Sequence, residues 1–153
     1  MIATVVFAAL LFAASCFDVL RLRIPNTIPL GLIALFALHL LVARSSQAPL
    51  NHLLAMALAL LILLPLYGLN MLGGGDVKLL ATVALWLGMN KLAALLILVG
   101  IVGSIFAVSW LALRWLIRTG LRDWKLPRSL QAHAPLPFAL PIMIVAILLF
   151  ERV

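Results

Sequence analysis

Long runs of Leu, Ala, Val and Ile, set apart by short polar breaks, fill almost the whole sequence. That pattern constrains the fold more than any motif, because it decides the solvent. Hydrophobic residues make up 67% of the 153 and charged residues 10%, where a soluble domain has about 45–50% and about 25%. A chain of this length cannot bury so much apolar surface within itself, so its surroundings are mostly lipid. Only helices and closed barrels satisfy every backbone polar group there, and the runs lack the strict alternation of barrel strands. The expected fold is all-α. It is a polytopic transmembrane bundle of about six helices, forming a single membrane-embedded domain over residues 1–153.

The first run is Met1 to Phe17, and Asp18, Arg21 and Arg23 follow it. No basic segment precedes this run and no small-residue cleavage site follows it, so it reads as a retained helix. Pro25 and Asn26 break the chain, with Asn26 placed to cap the next helix. Further runs are expected over 28–42, 50–72, 77–88, 92–117 and 135–150, with Pro65 kinking the third. Gly73-Gly74-Gly75-Asp76 is too flexible to continue a helix at low energy. The fourth run is shorter than the ~17 residues that spanning requires, but charge argues that it crosses. With the N-terminus outside, eight basic residues face inward (Arg21, Arg23, Lys78, Arg114, Arg118, Arg122, Lys125, Arg128) and three outward (Arg44, Lys91, Arg152). This obeys the positive-inside rule. The net charge of +7 is therefore a topology signal, with the lipid bilayer as partner and no nucleic acid. A single cysteine, Cys16, excludes an internal disulfide and a cysteine-based metal cluster. His39, His52 and His133 are dispersed and lack ligand spacing. No metal and no cofactor is expected. Gly100-Ile101-Val102-Gly103-Ser104 places small residues for close helix packing.

Four acidic residues remain: Asp18, Asp76, Asp123 and Glu151. Asp123 and Glu151 read as solvated charges near headgroups. Asp18 and Asp76 each lie at the junction of an apolar helix, where an ionisable group is costly and marks a functional site. An even number of crossings separates them, so both face the same side. Two close carboxylates in a partly desolvated site share one proton and titrate as a unit. The ionised one can take a proton from a water that attacks a peptide carbonyl. The protonated one polarises the carbonyl oxygen and later assists the leaving amine. Gly73, Gly74 and Gly75 let the backbone approach an extended substrate, or simply form an interhelical turn. Lys78 either snorkels to the interface or tunes the acids. The glycine run is not a phosphate loop, since the Walker pattern and a preceding strand are absent.

Asp18 with Arg21, Arg23 and Ile24-Pro25-Asn26, then Gly73-Gly74-Gly75-Asp76-Val77-Lys78-Leu79-Leu80 after two helices, resembles the type IV prepilin peptidase family of GxGD intramembrane aspartyl peptidases. Leu136-Pro137-Phe138-Ala139-Leu140-Pro141 is similar to that family's proline-containing final helix. The resemblance implies removal of a basic leader from prepilin or pseudopilin precursors at the cytoplasmic face of the inner membrane. Cleavage in the family commonly follows a glycine. By position, Asp18 and Asp76 match its catalytic pair. Its long members also carry cysteine pairs and N-methylate the product. This sequence resembles the short peptidase-only branch, similar to those serving Flp (tight-adherence) pili.

Two other functions fit the residues alone. Intramembrane carboxylates with helix-breaking Gly and Pro also mark a proton-coupled transporter, although both acids lie near one boundary and no repeat is evident. A non-catalytic assembly subunit of a pilus or secretion machine would tolerate loss of either acid.

Overall fold

The computed structural model describes residues 2–21, 23–43, 49–120 and 136–150. Among the described residues the chain forms six helices: α1 (Ile2–Arg21), α2 (Thr27–Ala43), α3 (Pro49–Gly68), α4 (Gly74–Leu87), α5 (Met89–Gly120) and α6 (Ala139–Phe150). Stretches within α1, α3 and α5 are long and apolar enough to cross a membrane, and α2 and α6 are shorter apolar helices. The architecture is the expected all-α polytopic bundle.

Several boundaries differ from the sequence reading, each for a local reason. α1 does not stop near Phe17 but runs on through Asp18 to Arg21, because Asp18 finds a hydrogen-bond donor inside the protein. α3 passes through Pro65 but ends at Gly68, short of 72. A Schellman motif closes it: Asn70 takes a left-handed φ of 57°, its N–H donates to Tyr67 O, and Met71 N–H donates to Leu66 O. Asn fills the position usually held by glycine. The chain is non-helical from 69 to 73, as the glycine run leads one to expect, but the break takes in only the first of the three glycines. Gly74 and Gly75 are the first residues of α4. α5 begins earlier and ends later than 92–117, and α6 begins at Ala139, after Pro137. Pro141 sits in its first turn, where the missing N–H had no helical partner to lose.

α4 is the centre of the bundle. Val77 and every residue from Leu79 to Leu87 are buried, so beyond the exposed Lys78 the helix has no solvent or lipid face. It packs against α2, α3, α5 and α6. At 14 residues it is about 21 Å long, against about 30 Å of hydrocarbon. Gly88 ends it with φ 75°, a conformation that favours glycine, and α5 turns back at once. His52 of α3 donates from Nδ1 to Leu85 O at 2.8 Å, satisfying a carbonyl in the last turn of α4. Trp86 Nε1 donates to Leu32 O of α2 at 3.0 Å. Around Trp86 lie Phe7, Phe36, Phe150 and His39. His39 and His52 are thus dispersed in sequence but gathered at this end of the bundle.

The helices alternate in direction. Lys91, at the start of α5, donates to Leu149 O at the end of α6. The opposite end of the bundle gathers the C-termini of α1 and α3 and the N-termini of α2, α4 and α6. Large apolar side chains such as Leu30, Leu61, Ile97 and Ile105 point outward and are exposed, the surface that a bundle presents to acyl chains.

Candidate active site

Asp18 lies one turn before the end of α1 and is 7% exposed. Its Oδ2 accepts the backbone N–H of Ala139 at 2.9 Å, and the Phe138 amide is also turned toward it. Ala139 is the first residue of α6. Its N–H is one of the donors a helix leaves without an internal partner, and the positive end of the α6 dipole faces the carboxylate. Ser15 stands three residues earlier on the same face of α1. Its hydroxyl lies 3.0 Å from Leu11 O and 3.2 Å from Ala139 O. α1 therefore accepts the Ala139 N–H at Asp18, and the one Ser15 hydroxyl proton is shared between Leu11 O and the Ala139 carbonyl.

Asp76 is the third residue of α4, partly buried. Gly73 is the N-cap, extended at φ −71° and ψ 142°, with no side chain to cap the helix. The Asp76 carboxylate folds back toward the Gly73 backbone N–H instead, the reciprocal half of a capping box. A methyl group at position 73 would lie 2.9 Å from Asp76 Oδ2, so the carboxylate occupies space that only glycine leaves free.

Asp18, Asp76, Arg23 and the three glycines line one cavity of about 360 Å³. Both acids thus face the same space. A second hollow of about 420 Å³ also borders Asp76, walled by Tyr67, Met71 and Phe138 and sharing Gly73 and Leu136 with the first. Asp76 thus borders both hollows. Gly74 backs closely onto the Tyr67 ring and Gly75 onto Ile24.

Lys78 does not line the cavity that holds both acids. It is exposed and donates from Nζ to Asn26 Oδ1 at 3.0 Å, tying α4 to the start of α2. Arg21 stacks over the Phe17 ring, and Cys16 is half-buried. Asp123, His133 and Glu151 lie outside the described residues. Among the described residues no group of three His, Cys, Asp or Glu could hold a metal. Sequence reasoning missed Ser15 and the Ala139 amide. Ser15 is spaced i, i+3 from Asp18, a signal that could have found it, while an amide has no sequence signature.

Two carboxylates around one cavity at helix termini suit activation of a water molecule. A family model, described as the type IV leader peptidase family, matches residues 5–108. The chain belongs to the type IV leader peptidase family. The stretch matched to the leader peptidase family carries Asp18, the glycine run and Asp76 and ends within α5. α6, whose amide holds Asp18, lies outside it. No curated protein and no solved structure matches the chain.

Proposed function

We propose that the protein is an aspartyl endopeptidase that removes the leader from prepilin-type precursors at the cytoplasmic face of the inner membrane, with Asp18 and Asp76 activating a water. The observation that carries this reading is the shared cavity of the two acids, in a chain of the leader peptidase family. One carboxylate, ionised, accepts a proton from water as the oxygen bonds to the scissile carbonyl carbon. The other, protonated, hydrogen-bonds the carbonyl oxygen as negative charge develops there. The tetrahedral intermediate collapses, the C–N bond breaks and the amine leaves with a proton from the pair. Gly73, Gly74 and Gly75 admit the extended substrate backbone beside Asp76. Lys78 sets α2 against α4. A precursor's own apolar helix stays in lipid against the exposed leucines while its basic leader remains in water.

The test is co-expression with a prepilin precursor, following leader removal by mass. Asp18→Asn and Asp76→Asn each abolish processing while the protein still inserts and accumulates. Wild-type processing by either variant would overturn the assignment and leave an assembly role.

A further inference from the structure

Asp18 is positioned from α6, and α6 is positioned from α5. The ring of Phe138, the residue before α6, lies directly against the backbone of Gly103 in α5. A methyl group built on Gly103 would fall 2.5 Å from Phe138 Cε1 and 3.0 Å from Cζ. Neither distance is tolerable between carbon atoms without displacement. The next residue, Ala139, is fully buried and donates its N–H to Asp18 Oδ2 at 2.9 Å. The Ser15 hydroxyl reaches the carbonyl of the same residue, and Pro137 just before it is fully buried. The backbone from 137 to 139 therefore has little freedom, so a push on the half-buried Phe138 ring turns it out of its rotamer, and the strain falls on the backbone that carries the Ala139 amide. Gly100, one turn earlier on α5, provides the contrast: a methyl group there meets nothing within 4 Å.

We infer that Gly103 is a positioning residue for the peptidase reaction: by leaving space for the Phe138 ring it sets the Ala139 amide, and through it the Asp18 carboxylate. This rests on the peptidase reading of Asp18. Gly103 touches neither acid, and its effect passes through Phe138 and the α6 amide. The small-residue segment 100–104 thereby divides. Gly103 serves the site, and Gly100 does not.

The experiment measures steady-state processing of a prepilin peptide by purified enzyme in detergent. The enzymes are wild type, Gly100→Ala, Gly103→Ala, Phe138→Ala and the double variant Gly103→Ala with Phe138→Leu. Gly103→Ala lowers kcat by about 10- to 100-fold, the scale expected for small misplacement of a reacting group, with KM unchanged. The double variant regains most of that loss, because the shorter leucine leaves room for the added methyl. Gly100→Ala matches wild type. Phe138→Ala, which removes the ring instead of crowding it, loosens the amide and also lowers kcat. It decides the matter if Gly103→Ala does not accumulate. Wild-type kcat in Gly103→Ala, a loss confined to KM, or no recovery in the double variant would overturn the inference, as would wild-type kcat in Phe138→Ala. Asp18→Asn assayed alongside separates the two ideas. If it stays active, the peptidase reading fails; if it is dead while Gly103→Ala is wild type, only the positioning role fails.

Discussion

Asp18 and Asp76 are held by different parts of the chain. Asp18 is fixed from outside its own helix, by the N-terminal amide of α6, whereas Asp76 is fixed within its helix, by the backbone of its own N-cap. Disturbing one holder therefore leaves the other acid in place. At Gly73 the backbone is extended and open to any residue, at φ −71°, so alanine adds no dihedral strain. Its methyl group would instead meet Asp76 Oδ2 at 2.9 Å. Gly73→Ala is expected to lower kcat by about 10- to 100-fold while the thermal unfolding midpoint stays within a few degrees of wild type. Unchanged turnover would mean that the Asp76 rotamer is not what Gly73 protects. Both acids were legible in the sequence because charge inside an apolar run is energetically conspicuous. Their holders were not. A serine in an apolar helix ordinarily bonds back to its own i−4 carbonyl, as Ser15 also does, and nothing in its identity announces a partner 124 residues away.

α4 carries the organisation of the elements. Its length and composition alone make it a poor membrane span, yet from Leu79 to Leu87 it is buried on every side and shielded from lipid by its neighbours. That burial makes its C-terminal carbonyls costly to leave unpaired, which gives His52 its role at Leu85 O. His52→Ala is expected to destabilise the bundle by about 1–3 kcal/mol, the penalty for an unsatisfied buried acceptor. Thermal unfolding in detergent would register it, with kcat of the surviving folded enzyme near wild type because the site lies at the other end. A loss of kcat without loss of stability would contradict this division. The helices themselves were readable from the apolar runs. Their ends were not, because the Schellman turn at Asn70 and the helical start at Gly74 depend on hydrogen bonds that form only after the chain has turned.

For the whole molecule, the alternation of helix direction sends Met71 and Asn90 to opposite ends of the bundle, and both are exposed. With Cys16 replaced by Ala, a membrane-impermeant maleimide should label Met71→Cys from the side that receives the leader and Asn90→Cys from the opposite side only. Labelling of both from one side would refute the six-helix topology. Sequence alone determined that this chain is a helical bundle suited to lipid, and which two acids stand out. Those properties follow from transfer energies of single residues and runs, and these need no knowledge of neighbours. The tertiary structure alone decided that α4 is the core, that the acids share a cavity, and that α6 holds Asp18. These depend on which helix faces pack together. Helices with apolar residues all around encode little preference among their faces, so the choice rests on close fits such as Phe138 against Gly103, which exist only once the bundle is assembled.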